Sequence, residues 1–356
     1  MTHPSNARAK PETVREEVQM HRDFSEGMRA NGDHANAEWH ADRATILQSN
    51  GRGQAASGLR VYRMADLEAL PAVEWLIDGW LQPDALHVTY GASGVGKSLL
   101  ALDWGACVAS GRPWQGLETR KVPVLLIIQE GLSGLRGRNT AWLEANKATH
   151  PEDLLFVIEP INMLDPADIQ SVCDLVTKNG VGLVQIDTLS RVIPGGDENS
   201  GSDMGAFIAN CATIQACGAA VNVIHHSGHA ETKRERGWSG LPAAADVRIR
   251  VIMSGSNVVR VESVKLKDGT PPPTLNLQIT PGSGSVVLES AKPTAMMKEI
   301  VQHIAAYPGA TVNDIKENVT GKAFRISEAI EQLIEDGRVY NEPGPRNAKL
   351  HYVTEQ

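Results

Sequence analysis

Aromatic residues are scarce in this sequence, at 4% of 356 residues. With so few aromatic side chains, the protein has little material for a platform on which bases stack. Any binding of single-stranded nucleic acid would therefore depend on contacts to phosphates and on backbone N–H groups. An excess of positive charge is also lacking, since the formal net charge is -8. That balance argues against a protein coated in basic charge for indiscriminate nucleic-acid binding, although a local basic groove is compatible with it.

Long apolar runs and closely spaced cysteine pairs are absent too. No run approaches the roughly 18 residues that a membrane span requires, and the N-terminus has no hydrophobic segment of the kind that directs secretion. Four cysteines lie in apolar segments without a CxxC pair: Cys107, Cys173, Cys211 and Cys217. These absences predict a cytoplasmic protein with no membrane contact, whose thiols are buried and free rather than in disulfides or a zinc site.

The chain does contain enough apolar material for a sizeable core, 42% of its residues, and its texture divides it into three regions. Residues 1–70 are polar and turn-rich, which predicts a largely flexible N-terminal arm. Residues 71–290 alternate apolar runs with helical patterns and predict one large domain. Residues 292–356 predict a separate small unit.

Five apolar runs in the central region predict buried strands. They are ALHVTY at 85–90, VPVLLII at 122–128, LLFVIE at 154–159, VGLVQID at 181–187 and AAVNVIHH at 219–226. Between them lie helical patterns at 97–110, 134–148, 166–179 and 203–217. The alternation predicts an α/β fold with a mostly parallel sheet and helices on both faces, which binds ligands beyond the carboxyl ends of its strands. From 246 to about 289 the pattern changes to antiparallel strands.

The region from Lys292 predicts three short helices and a hairpin, an order that matches a winged helix-turn-helix. Lys322 and Arg325 begin the third helix, where duplex DNA would be read. Four acidic residues follow them: Glu328, Glu331, Glu335 and Asp336. A module that docks protein or stabilises an oligomer is therefore an open alternative to one that reads DNA.

The stretch GASGVGKS at 91–98 matches the phosphate-binding pattern GxxxxGK[ST]. It lies between a predicted strand and a predicted helix, the setting in which backbone N–H groups and the helix dipole hold a phosphate. ATP and Mg²⁺ are the implied cofactors, with Lys97 on the β and γ phosphates and Ser98 on the metal. The predicted nucleotide-binding residues are Gly91, Ala92, Ser93, Gly94, Val95, Gly96, Lys97, Ser98 and Leu99.

A carboxylate for the metal is expected at the end of a neighbouring strand, and Asp187 ends the run VGLVQID. Thr188 follows it, so the adjacent Asp-Glu pair of many ring ATPases is missing and the general base must come from elsewhere. Glu130 is the first acid after the run VPVLLII, and a glutamate at the carboxyl end of an adjacent parallel strand points into the same crevice. We therefore predict that Glu130 activates the attacking water, with a helix-capping or surface role as the alternative.

Three histidines, His225, His226 and His229, end the last of the five runs. The first two would point to opposite faces of a strand, which argues against a shared metal ion. His226 is predicted to sense the γ-phosphate, with a buried structural histidine as the alternative.

A cationic turn follows, with Lys233, Arg234 and Arg236. We predict that Arg236 reaches the nucleotide of a neighbouring subunit as an arginine finger. For Lys233 and Arg234, a solvated surface position is an equal alternative.

These features together resemble a known family. The stretches GASGVGKS, IIQEG, LVQIDTLSRVIPGGDENS, VIHHSGH and RGWSGLPAAAD, in this order, resemble the RepA-type hexameric replicative helicases of plasmids and phages, within the RecA-like P-loop ATPases. The resemblance covers about Trp75 to Gly269. The pattern departs from the family at Gln185, at Trp238 and in the acidic stretch GGDENS.

The resemblance implies a RecA-like core that assembles into a homo-oligomeric ring, hydrolyses ATP at subunit interfaces and moves on single-stranded DNA beside other replication proteins. It assigns Lys97 and Ser98 to the nucleotide and Mg²⁺, and Asp187 to the metal. It makes Glu130 the base, His226 the sensor and Arg236 the finger in trans.

Two functions of different classes follow. The first is an ATP-driven motor on single-stranded DNA in phage or plasmid replication, whose DNA affinity should fall steeply with salt. The second is an ATP-switched initiator or regulator that reads duplex DNA with its winged helix.

Overall fold

The computed structural model describes residues 75–226, 238–254, 257–290, 295–335, 337–345 and 348–354, with a few isolated positions between 19 and 64. The predicted N-terminal arm, residues 1–70, therefore lies almost wholly outside the described residues. Within the described ranges, no helix combines the length and the apolar character needed to cross a bilayer.

Strands and helices alternate through the first part of the fold, as the sequence predicts. The strands are β1 (Leu86–Gly91), β2 (Val124–Ile128), β3 (Leu154–Val157), β4 (Leu183–Asp187) and β5 (Ala220–His226). The helices are α1 (Lys97–Ser110), α2 (Leu135–Ala145), α3 (Pro166–Asn179), α4 (Gly201–Ala216) and α5 (Gly240–Ala244). Strands β2 and β4 are buried along their whole length, which explains why their sequences are continuous apolar runs rather than alternating ones.

Capping residues fix the ends of two helices. Helix α3 keeps the predicted bounds because Asp165 caps its first turn and Gly180, at φ 63°, ends it in the left-handed region. Helix α4 begins at Gly201, two residues before the predicted 203, because the Ser200 hydroxyl accepts the N–H of Asp203.

Two elements are shorter than predicted. Helix α2 ends before 148, because the Asn146 side chain donates to the carbonyl of Trp142 and closes the last turn. Strand β3 ends before 159, because the Gln129 side chain donates to the carbonyl of Glu159 and draws this segment towards the end of β2.

The five strands belong to one sheet together with β6 (Val247–Ser254), β7 (Val258–Leu266), β8 (Leu275–Gly282) and β9 (Ser285–Ser290). The strand order is β3-β2-β4-β5-β1-β6-β7-β8-β9. Neighbours from β3 to β6 are parallel, and those from β6 to β9 are antiparallel. The sheet is thus the mostly parallel α/β sheet that the sequence predicts, extended at one side by antiparallel strands.

Helices cover both faces of the parallel part of the sheet. Side chains of α1 and α2 pack into one apolar core with β2 and the antiparallel strands, and those of α3, α4 and α5 pack into the other. Within the first core, the buried Asp103 of α1 accepts indole N–H groups from Trp114 and from Trp142 of α2, both at 2.8 Å. This buried carboxylate therefore connects α1 to α2.

The C-terminal part contains three helices and a hairpin, the elements that the sequence predicts. They are α6 (Ala295–Ala306), α7 (Val312–Asn318), α8 (Ala323–Glu335), β10 (Val339–Pro343) and β11 (Lys349–Val353). Their buried side chains, such as Ile300, Ile315, Ile326 and Leu333, form a separate apolar cluster. The interpretation of this unit as a winged helix-turn-helix stays a prediction.

Candidate functional site

The phosphate-binding loop joins β1 to α1, and its glycines are required by its surroundings. A Cβ at Gly91 would lie 2.1 Å from the carbonyl oxygen of Val251 on β6, so only glycine permits this approach. Gly94 and Gly96 have φ of 80° and 97°, values that glycine adopts at low cost. Gly96 precedes α1 without a side-chain cap, so the first N–H groups of the helix remain available to an anion.

The other loop positions divide between solvent and core. Ala92 and Ser93 are exposed, Val95 is buried in the apolar core, and Ser98 and Leu99 are half-buried. The half-buried Leu99 packs against the same apolar core as Val95.

Lys97 is buried beneath this loop. Its ammonium group donates to the carbonyls of Gly91, at 2.9 Å, and Ala92, at 2.7 Å. Burial lowers the pKa of Lys97 to about 8, although the nearby carboxylates of Asp187 and Glu130 act in the opposite direction. The lysine is therefore a buried cation held largely by its own loop.

Asp187 is the last residue of β4 and lies beside the loop. The Ser98 hydroxyl donates a hydrogen bond to its carboxylate, which lowers its pKa, while burial, the largest influence, raises it. The two predicted metal ligands are thus in contact. In the described part of the chain no three His, Cys, Asp or Glu side chains cluster in a metal site. A hydroxyl and one carboxylate suit Mg²⁺ that takes its other ligands from phosphates and water.

Glu130 follows β2 by two residues and reaches the same edge of the sheet. Strand β2 pairs with β4, with Ile128 opposite Asp187, and the N–H of Gln129 donates to the carbonyl of Asp187 at 2.8 Å. The Glu130 side chain is 42% exposed, with Oε2 3.7 Å from Nε2 of His226. A carboxylate here has the exposure that contact with water and substrate requires.

His226 lies between the lysine and the glutamate. Its Nδ1 is 3.2 Å from Nζ of Lys97. Because the ammonium group can only donate, Nδ1 is the acceptor and the ring proton sits on Nε2, facing Glu130. Burial and then Lys97 lower the pKa of His226, against the opposite effect of Glu130, so the imidazole is neutral at neutral pH. His225 is buried and, as predicted, belongs to the opposite face of the strand.

One charged residue of this region was missed at the sequence level. Arg138 on α2 donates to the carbonyl of Gly131 at 2.6 Å, and its charge lowers the pKa of Asp187. It therefore fixes the turn that follows Glu130. The available signal in the sequence was its place, seven residues after Gly131 in the stretch that follows Glu130.

The predicted finger lies outside the described residues. Arg236, Lys233, Arg234 and the third histidine, His229, all belong to this undescribed segment. Trp238 follows it, and its N–H donates to the carbonyl of Glu198 at 2.8 Å in the acidic stretch GGDENS.

The packing of Trp238 explains its presence. Its indole lies against Gly201, where a Cβ would be 3.4 Å from the ring, and against Gly240, where a Cβ would overlap it. The bulky indole is therefore accommodated by two glycines, and the acidic stretch is held against Trp238 by the hydrogen bond to Glu198.

Comparison with known proteins supports an ATPase domain. The family model described as an AAA domain matches residues 59–232, which contain the loop, Glu130, Asp187 and His226. Among solved structures, the chain is similar to the RadB recombinase, with 17% identity and a TM-score of 0.45, over 59% of this chain and 92% of that chain. Among curated proteins, none matches. The AAA match, the phosphate-binding loop and the sheet together support a P-loop ATPase domain.

Proposed function

We propose that this protein is an ATP-hydrolysing motor, a RepA-like replicative helicase or translocase that acts on single-stranded DNA. One observation carries the proposal: Lys97, Asp187 and Glu130 lie close together at the carboxyl edge of the sheet. They come from the segments at the ends of β1, β4 and β2. Since Thr188 follows Asp187, Glu130 from the adjacent strand is the carboxylate available to act on water.

In the proposed reaction, each side chain has one task. Lys97 binds the β and γ phosphates in exchange for the carbonyls of Gly91 and Ala92. Mg²⁺, held by Ser98 and Asp187, would neutralise charge on the same phosphates. Glu130 orients the attacking water and takes its proton.

His226 is proposed as the sensor of the γ-phosphate. Its ring contacts the lysine that would bind that phosphate and faces the glutamate that would activate the water. A change at the γ-phosphate would therefore be transmitted to Glu130 through the side chain of His226. The segment that follows His226 would carry this change onward, and its Arg236 is proposed to act in trans on the next subunit of a ring, in which six copies would assemble.

The C-terminal unit is proposed to be a winged helix-turn-helix. Lys322 and Arg325 lie at the start of α8, with Phe324 exposed beside them, but Glu328 and Glu331 occupy the exposed side of the next turns. Carboxylates on that face oppose the phosphates of a duplex groove. This supports docking within the ring or to a replication protein over the reading of duplex DNA.

The test is ATP hydrolysis with and without single-stranded DNA. We expect single strands to stimulate hydrolysis severalfold and Lys97→Ala to abolish it. Lys265→Ala is the matched control, because Lys265 also donates to two backbone carbonyls, those of Ala243 and Ala245, away from the loop. Hydrolysis that responds to one duplex sequence and ignores single strands would contradict the motor.

A further inference from the structure

Three polar side chains cross the middle of the sheet with almost no exposure to solvent. Thr89 on β1, Asn222 on β5 and Gln185 on β4 are 0%, 0% and 1% exposed. They form a chain of hydrogen bonds, from Thr89 Oγ1 to Asn222 Oδ1 at 2.9 Å and from Asn222 Nδ2 to Gln185 Oε1 at 3.0 Å. We name these three residues the polar ladder.

The ladder ends on the helix that follows the phosphate-binding loop. Gln185 Nε2 donates to the carbonyl of Ala101 on α1 at 2.7 Å. A Cβ at Gly105 would lie 3.0 Å from the same nitrogen, so a glycine leaves room for the amide. The polar residue that departs from the family pattern inside β4 is therefore a hydrogen-bonded link between the sheet and α1.

The hydrogen bond from Gln185 to Ala101 fixes which atom donates and which accepts in every other bond of the ladder. The carbonyl of Ala101 can only accept, so the Gln185 atom next to it is the amide nitrogen and its oxygen faces Asn222. Asn222 must then donate to that oxygen, which turns its own oxygen towards the hydroxyl of Thr89. One orientation satisfies all three side chains, and removal of any one leaves a buried polar atom without its partner.

Each ladder residue belongs to a strand that ends in the candidate site. Gln185 precedes Asp187 by two residues, Thr89 precedes Gly91 by two, and Asn222 precedes His226 by four. Even spacing along a strand keeps side chains on one face. The ladder thus lies directly behind the residues that meet the nucleotide in the proposed function.

We propose that the polar ladder is a positioning network that holds Asp187 and His226 at their working distances from Ser98 and Lys97. This inference rests on the proposed ATPase function. Apolar side chains such as Val, Leu and Met would fill the same space without the cost of burying amides, but they would leave β4 and β5 free to shift against α1. Directional hydrogen bonds prevent that shift.

Thr89 offers the cleanest test, because valine has nearly its shape and serine keeps its hydroxyl. We expect Thr89→Val to lower kcat roughly tenfold, as small displacements of reacting groups do, with KM for ATP changed less than about twofold. Thr89→Ser should stay within about twofold of the natural protein. Ile186→Val is the control, since Ile186 is buried in the opposite core next to Asp187 and the change leaves the ladder intact. Equal kcat in Thr89→Val and Thr89→Ser would overturn the proposal.

A double substitution separates a network from independent bonds. Thr89 and Gln185 are linked only through Asn222 in the ladder. In a network, Thr89→Val combined with Gln185→Met should lower kcat no further than the worse single variant. Multiplication of the two single effects would contradict the network.

Hydrogen exchange provides a readout that needs no hydrolysis. The N–H of Gln129 donates to the carbonyl of Asp187, so its exchange rate reports whether the end of β4 has moved. Exchange in the peptide spanning 124–131 should rise several-fold in Gln185→Met and stay unchanged in Ile186→Val. Unchanged exchange in both would refute the ladder, whereas an inactive natural protein with raised exchange in Gln185→Met would refute only the proposed function.

Discussion

The parallel and antiparallel halves of the sheet both bury charged side chains, but they pair them differently. In the antiparallel half, the Glu262 carboxylate accepts a hydrogen bond from Nε of Arg250 at 2.7 Å and forms an ion pair with Arg260, whose Nε lies 2.7 Å from Oε1. At the carboxyl edge of the parallel half, the buried ammonium group of Lys97, the first residue of α1, is held by two carbonyls and a neutral imidazole instead. A fully paired charge holds strands together, whereas a buried charge with neutral partners can exchange them for a ligand.

The buried Asp103 is expected to show the largest effect on stability among the charges outside the site. Its partners are indole N–H groups rather than cations, and burial raises its pKa from 3.8 to about 6. Because the pKa of Asp103 is higher in the folded protein than in the unfolded one, protonation of Asp103 stabilises the fold. This stabilisation is complete below about pH 3.8 and is lost as the pH rises through about 6. The rise corresponds to about 3 kcal/mol.

Asp103→Asn removes this dependence on pH. The free energy of unfolding of the natural protein, minus that of the variant, should therefore fall by about 3 kcal/mol between roughly pH 3 and pH 7. Urea denaturation at several pH values measures it. The buried His87, whose pKa burial lowers to about 4, changes stability in the opposite sense but is present in both proteins. A difference that is constant with pH would show that Asp103 stays ionised in the fold.

Glu262 is expected to show a smaller effect that does not reach the site. Glu262→Gln removes the charge shared by Arg250 and Arg260 and should cost about 1–3 kcal/mol of stability. Because Glu262 pairs with Arg250 and Arg260 rather than with a residue of the candidate site, kcat for ATP should stay within about twofold. Thermal unfolding beside steady-state hydrolysis measures both. A large loss of kcat with unchanged stability would show instead that Glu262 serves the functional site and does not hold the strands together.

Local features of the fold were predictable from the sequence because they depend on short-range chemistry. The apolar run that becomes β4, the loop glycines and the caps of α3 all act within a few residues. The position of Glu130 beside Asp187 followed from one further rule, that adjacent parallel strands end at the same edge. These features provided both the sheet and most of the candidate site.

The remaining features depend on partners that are distant in sequence. In the sequence, Gln185 is a polar residue inside an apolar run. In the structure, its amide is hydrogen-bonded to Ala101 and Asn222. Asp103 gave no signal, because its partners Trp114 and Trp142 come from separate segments. The hydrophobic periodicity of a sequence does not indicate which distant side chains pair. Only the tertiary structure identifies these hydrogen bonds.

We propose that Glu130 is the base because its strand, β2, lies next to β4. The chain provides its own comparison, since Glu159 follows β3 by two residues, as Glu130 follows β2, but β3 is one strand further from Asp187. The decisive measurement is kcat for ATP hydrolysis in Glu130→Gln and Glu159→Gln. We predict a loss of about 10²-fold or more in the first and less than about twofold in the second. Normal hydrolysis by Glu130→Gln would show that Glu130 is not the base.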